Sequence, residues 1–454
     1  MLQTLFKCLP RSHAHFSDLR YEETETTTII CSGGTPTKHT RTRHSGCLAR
    51  TSHRGNLASA AFQHMDEAGA AFKNLRTAVA HSHPQHAPGK PIPARPAIRD
   101  QVRPRLDGDP RRIPARHKQQ WVQDYHARAL ASHPAVTHTR LTYCETHRKK
   151  YYVNTEGSQI RQDQLTLSIK GEIYAEDSRH RQSIRVAVGG SSGVHHLENR
   201  GDLFRDKARI CGQLLQAPGV DPGNYTVLLD NHIGGLFIHE TIGHLSEADF
   251  TLGSPLETRL EPGRSIAAPH VSIVDDPTLP QSLSHYHYDD EGTPAAPTCL
   301  VHQGRVAHRL HSRHTAAIFN AAPTGNALAQ SHAHPPLVRM SNIYLVPGKK
   351  RIRDLLAEVD NGLYVCGANG GQTQGDCFSF KAQYGHRIKD GKPKELVRDI
   401  HMSGQIFDML HRISLLGNDL RFSESGACRK RDQLNIRSCY GAPHMVVRGM
   451  DIGV

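Results

Sequence analysis

His239-Glu240-Thr241-Ile242-Gly243-His244 places two imidazoles around a carboxylate, directly after the small and apolar run Ile233 to Ile238. Neutral imidazole is a common ligand for Zn2+, and a neighbouring carboxylate can take the proton of an attacking water. The segment therefore carries the means for metal-assisted amide hydrolysis. In the H-E-x-x-H arrangement the second His lies at i+4, about 40° around a helix of roughly 3.6 residues per turn, and both rings face one ion. Here it lies at i+5, which on a regular α-helix separates the rings by about 140°. Either a π-bulge absorbs the extra residue, or the helix stops at Gly243 in the left-handed conformation that glycine readily adopts. The spacing predicts distortion around Gly243. In a chain with 33 His the bland alternative is a chance match, and the residues alone divide evenly between the two readings.

A catalytic zinc site usually takes three protein ligands and keeps one position for water. Glu247 and Asp249 lie just beyond His244, and Cys366, Cys377, Cys428 and Cys439 lie in the C-terminal third, with no C-x-x-C pair among them. Each Cys taken singly reads as a buried structural thiol rather than a ligand. Asp289-Asp290-Glu291, entering the turn Gly292-Thr293-Pro294, reads as an exposed acidic turn without the EF-hand spacing for calcium. Gly367-Ala368-Asn369-Gly370-Gly371-Gln372 lacks the Lys-Ser/Thr of a phosphate loop and reads as a tight turn or a close backbone approach. No G-x-S-x-G elbow is present, and no catalytic triad can be assembled.

The elements that must hold these groups belong to a chain of 454 residues, long enough for two or three cored domains. No run of about 18 apolar residues exists to cross a membrane. The apolar patch within the first residues is too short for a secretory core, so a cytoplasmic location is the default expectation. Ten Cys without disulfide-like clustering fit that setting as free thiols or ligands. The net charge of +13 raises nucleic acid as a partner, but basic residues are thinly spread and a single Trp with 6% aromatic residues offers no stacking platform. Dedicated nucleic-acid readout is not supported; the charge is compatible with non-specific attraction to polyanions or acidic peptides.

Phe16 to Ile30 reads as strand and Leu57 to Val79 as helix. Residues 81–117, rich in Pro, Arg and His, read as an extended and exposed connection. A helix from Lys118 to Ala131, a meander of strands (Thr137–Glu145, Lys150–Asn154, Gln164–Tyr174, Arg185–Val188) and a helix from Asn199 to Gln216 follow. Pro218-Gly219-Val220-Asp221-Pro222-Gly223 is the best boundary. Beyond it short β-like runs dominate, apart from the helix around His239 and one near Ile352–Glu358. The fold class expected is α+β: an N-terminal domain of antiparallel strands and helices over 1–217, and a mainly β domain over 218–454 that carries the metal-site helix.

HETIGHLSEADF, VDDPTLP, DDEGTP, APTGNA, HPPLVRMSNIYLVPG and LLGNDL occur in this order, and together they resemble the TldD/PmbA family of metallopeptidases over most of residues 225–454. FSDLRYEETETTTI and SGCLAR give a weaker echo in the N-terminal part. The family signature H-E-x-x-x-H accounts for the i+5 spacing. The resemblance implies an α+β domain and a mainly β domain enclosing a chamber in a dimer, formed with itself or with a metal-less family member. It also implies zinc held by His239, His244 and, from the match of Gly426-Ala427-Cys428, by Cys428. Glu240 would be the general base. His334 and Arg339 are candidates for a second electrophile or substrate contact. The expected substrate is an unfolded or flexible peptide lying as an extended strand on a sheet edge, a leader or modified-peptide precursor among the options. The competing class is a non-catalytic partner or regulatory binding protein of the same family, which the intact His-Glu-His disfavours. Two departures from the family pattern, Leu245-Ser246 after the second His and Arg429-Lys430-Arg431 after the Cys, are expected to alter the walls near the metal.

Overall fold

A computed structural model describes residues 1–10, 16–81 and 90–453. A short helix, α1 (Leu2–Cys8), inserts Leu5 into a small core with Leu19, Cys47, Phe72 and Val153. Three antiparallel strands follow: β1 (Phe16–Ser32), β2 (Thr35–His53) and β3 (Asn56–Phe62). The helix expected from Leu57 to Val79 thus begins later, as α2 (Ala68–His81). Residues 56–62 pair along the outer edge of β2, Ala61 opposite Leu48, because an edge pairing there settles a run whose Ala-rich composition suits helix and strand alike.

Of the connection expected over 81–117, residues 82–89 lie outside the described set and 90–98 have no regular structure, but β4 (Arg99–Val102) forms a parallel pairing with a later strand. Then come α3 (Ala115–Leu130), β5 (Val136–Asn154), β6 (Gln159–Glu176), β7 (Arg181–Gly190) and α4 (Gly201–Gln213). The sheet order is β3-β2-β1-β5-β6-β4, with β7 also on β6. The two segments expected at Thr137–Glu145 and Lys150–Asn154 are one continuous strand, β5. Helices α3 and α4 cover one face. Val122, Tyr125 and Ala129 on α3 meet Phe204, Ala208 and Cys211 on α4 at helical spacing, with Tyr125 stacked on Phe204 at 4.4 Å between ring centres.

The C-terminal part opens with β8 (Gly223–Leu229). The strand Gly362–Gln374, β8, Met445–Ile452, His401–Gln405 and Cys377–Lys389 pair in succession, and the last pairs with the first, so these strands close on themselves around a core that includes Val227, Val365, Phe380 and Val447. A second sheet runs through Thr298–His302, Ile273–Asp275, Asn342–Leu345 and Cys439–Ala442. All ten Cys are free, and no described helix is long and apolar enough to cross a membrane.

The acidic triplet expected in an exposed turn is instead sealed between the two parts: Asp289, Asp290 and Glu291 are each 3% exposed. Lys150 Nζ donates to Asp290 at 2.8 Å and Arg50 Nη1 to Glu291 at 2.6 Å. Asp289 accepts the backbone N–H groups of Glu291, Thr293 and Ala327. A carboxylate can be buried only where cations and N–H donors replace its water, and here β2 and β5 bring the cations.

Candidate metal centre

Helix α5 (Asn231–Ile238) starts where β8 ends, because Asp230 Oδ1 accepts from the backbone N–H of His232 (3.0 Å) and Ile233 (2.9 Å). Residues 233–238 are all buried, so the helix runs through the core rather than over it. The next five residues, His239–Gly243, form a π-turn closed by the N–H of His244 donating to the carbonyl of His239. A last α turn, His244–Ser246, continues in register. Gly243 has φ −56° and ψ −57°, right-handed, so the helix does not stop there. The π-turn alone absorbs the extra residue.

Two observations explain where the distortion falls. A Cβ on residue 243 would lie 1.9 Å from Met340 Sδ and 3.2 Å from Ile343 Cδ1, so glycine lets the helix pack closely here without moving those side chains. Thr241 Oγ1 donates to Phe237 O at 2.6 Å, a side-chain bond that competes with the regular helical ladder. Thr373 Oγ1, from the strand Gly362–Gln374, donates to the Glu240 carbonyl at 3.0 Å. The His239 and His244 rings end up 5.1 Å apart between centres, nearly perpendicular.

Cys428 arrives on a separate hairpin, Ala427–Lys430 paired with Gln433–Arg437. Its Sγ lies 3.3 Å from His239 Nε2 and 3.1 Å from His244 Nε2. The three donor atoms fall within 4.8 Å of one another, the one such group of His, Cys, Asp or Glu among the described residues. A tetrahedral zinc with ordinary bond lengths would set such N and S atoms roughly 3.5 Å apart, so the triangle has the size the ion requires. The donor chemistry fits as well. Burial by itself would raise the Cys428 thiol, but His239 and His244 beside it bring it down to about 4, in the thiolate range that binds metal. His239, His244 and Cys428 could therefore hold a zinc ion.

His244 is braced from behind. Burial opposes its charged form, but Glu247 and Cys428 outweigh this and hold the imidazole up at about 10 without an ion. Glu247 Oε2 sits 3.4 Å from His244 Nδ1 and is fully buried. Its burial is offset by Arg339, 3.3 Å from Oε1, and by Lys430 Nζ at 2.9 Å, which keep the carboxyl well below the usual carboxylate range. A carboxylate on the far nitrogen fixes a ligand His in tautomer and orientation. Glu247 is thus placed behind the donors, and Asp249 accepts from Lys430.

Glu240 faces a cleft of about 900 Å³ that also exposes His239, His244 and Cys428. Its Oε2 lies 3.9 Å from His244 Nε2, and burial raises its carboxyl despite the opposing imidazoles. The cleft is walled by Lys170, Arg185 and Ala187 from β6 and β7, and by His232, Tyr440 and Arg429. Apart from Arg429, none of these walls is marked in the sequence; His232 and Tyr440 are drawn in by the helix and sheet that frame the donors. The residues proposed from the H-P-P-L-V-R-M segment lie elsewhere. Arg339 is buried against Glu247, and His334 bonds Ser331 Oγ through Nδ1 at 2.9 Å while its carbonyl receives Arg20. Of the two departures expected to reshape the walls, Leu245 is instead fully buried in the core and Lys430 is spent on Glu247. Arg429 alone faces the cleft.

A helix that carries two His across a π-turn, met by a Cys from a β hairpin, gives this α+β protein a candidate metal centre. The chain belongs to the PmbA/TldD family: residues 222–454 match the PmbA/TldA metallopeptidase C-terminal domain and residues 108–215 its central domain. It is similar to a metalloprotease of Synechocystis sp., 30% identical over 98% of this chain and 96% of that protein. A metalloprotease of Methanothermobacter thermautotrophicus is 34% identical over 78% of each, and a zinc metalloprotease TldD homolog of Saccharolobus solfataricus is 29% identical over 74% of this chain and 77% of that protein. Among solved structures, a Thermotoga maritima protein described as a modulator of a DNA gyrase shares the fold with a TM-score of 0.81 at 21% identity, covering 99% of both chains. TldE from Thermococcus kodakarensis gives 0.78 at 14% identity, covering 100% of this chain and 99% of its own.

Proposed function

We propose that the protein is a zinc-dependent peptidase acting on unfolded or flexible peptides. The observation that carries this reading is the convergence of His239, His244 and Cys428 on one point, with Glu240 beside them in an open cleft. When bound there, zinc supplies a Lewis acid that makes water nucleophilic near neutral pH and polarises the peptide carbonyl. The chain does the rest. Glu240, whose carboxyl is raised by burial toward the working pH, takes the proton of the attacking water and returns it to the leaving amine. Glu247 holds the His244 ring while charge develops beside it. Among the described residues β7 pairs on one side alone, with β6, and Val186 and Ala187 on it line the cleft. An extended peptide could add to that edge by backbone hydrogen bonds, which favours substrates that are not folded.

The test is metal analysis and peptide cleavage in three proteins. The wild type should carry about one zinc per chain. Glu240→Gln should keep the metal and lose about 10²–10⁴-fold in kcat/KM, whereas Cys428→Ser should lose the metal with the fold retained. A wild type that binds no metal, or a Glu240→Gln protein of full activity, would overturn the reading.

A further inference from the structure

Deeper between the N-terminal sheet and the Cys428 hairpin lies a second cavity, of about 330 Å³. It shares Lys170 and residues 425–427 with the metal cleft, so the two are neighbouring chambers with a common wall. The inner one is cationic: Arg148, Lys150, Lys170 and Arg437 line it against a single carboxylate, Asp290. Two of those cations are already engaged, Arg148 with Glu22 and Lys150 with Asp290. Among the described residues, neither Lys170 nor Arg437 has a carboxylate within ion-pair distance. The side chain of Arg437 makes one hydrogen bond, from Nη1 to Thr166 Oγ1 at 3.2 Å. Burial and the nearby Arg148 pull its guanidinium down to about 10, and the more distant Glu22 and Asp290 offset this only in part.

The hairpin register relates this charge to the metal donors. Arg437 is the cross-strand partner of Ala427, and Ile436 that of Cys428. Arg437 and Ile436 line the inner chamber, Cys428 lines the cleft and Ala427 lines both, so this hairpin is the wall between them. The two strands of the hairpin lie about 4.8 Å apart and span about 10 Å edge to edge, so a peptide that advances about 3.3 Å per residue passes them in about two or three residues.

We propose that the inner chamber is a carboxylate subsite of the substrate cleft: Arg437, with Lys170 at the shared wall, pairs with a carboxylate of the bound peptide about two or three residues from the bond presented to Glu240. The inference rests on the peptidase reading. The carboxylate is either the end of the peptide chain or an Asp or Glu side chain, and one measurement separates them. Zinc-loaded Glu240→Gln protein, which binds without turnover, is titrated by fluorescence anisotropy with one hexapeptide in three forms: free C-terminal carboxylate, C-terminal amide, and amide with Glu at the third position from the end. One carboxylate form should bind about tenfold tighter than the neutral amide, and which one it is names the source. Adding Arg437→Gln should reduce that preference to less than about twofold with the amide unchanged, and Arg437→Lys should restore part of it. Lys170→Gln, at an exposed position on β6, should reduce the preference by about two- to threefold and gives a second readout independent of Arg437. Equal binding of all three peptides to the parent, or a preference that survives Arg437→Gln, overturns the subsite. If protein with Glu240 intact fails to cleave peptides while the Arg437-dependent preference remains, the peptidase reading falls and the carboxylate site stands.

Discussion

Two sets of buried carboxylates hold this molecule together, and they answer to different partners. Glu247 takes its compensation from Arg339, Lys430 and His244, all within the C-terminal part. Asp290 and Glu291 take theirs from Arg20, Lys150 and Arg50, all on the N-terminal sheet. The first set orients a single metal donor. The second docks residues 290–291 on the N-terminal sheet, and Asp290 lines the inner chamber. The chemistry is the same, and what differs is which degree of freedom it removes: the rotation of one imidazole, or the placement of a whole sheet.

Separate removal of one carboxylate from each set would break or sharpen that contrast. The largest effect belongs to the docking set. Asp290→Asn strands Arg20 and Lys150 in a dry interface and should cost about 3–5 kcal/mol in urea unfolding, with zinc content unchanged in the folded fraction. A variant that lost zinc in step with stability would show that docking and metal binding are one unit. Next, Glu247→Gln should weaken zinc about 10–100-fold in a chelator competition, because His244 loses the acceptor on its far nitrogen. Unchanged affinity would place Glu247 with the docking carboxylates instead.

The smallest effect is one of pH. Burial would raise Asp290, but Lys150, Arg20 and Arg148 hold it well below the usual carboxylate range. A group depressed in the folded state contributes its stability above the unfolded value of about 3.9, and loses it as pH falls through the folded value. The stability gap between wild type and Asp290→Asn should therefore be full at neutral pH and close progressively below about pH 4. A gap of constant size down to strong acid would mean that Asp290 is not the paired anion.

Much of the metal helix was legible in the residues themselves, since an apolar run after Asp230 and a misfit i+5 pair at Gly243 already demand a buried, distorted helix. Its resolution by a π-turn was one of two solutions, and the packing of Gly243 on Met340 and Ile343, about a hundred residues away, carries no signal in the local sequence. Cys428 could be nominated only through resemblance, because no spacing links it to His239. The acidic triplet was misread for a related reason. Asp289 to Pro294 has the composition of a solvated turn, and the cations that bury it lie 140 residues away at Lys150 and 241 at Arg50. β5 looked like two strands because Thr146 to Lys150 breaks the apolar alternation. Arg148 and Lys150 are there to reach Glu22 and Asp290 rather than a hydrophobic core.

His239 and Cys428 touch across 189 residues of chain, which has a consequence for the timing of synthesis. At about 5–20 residues per second the imidazoles leave the ribosome on the order of ten to forty seconds before the thiolate that completes the site. Throughout that interval the nascent chain is itself an unfolded polypeptide, the substrate class proposed for the finished cleft. If the chain is the peptidase proposed above, a last ligand translated late keeps it unarmed while its own substrate-like segments are exposed, and it becomes competent only after they have been folded away.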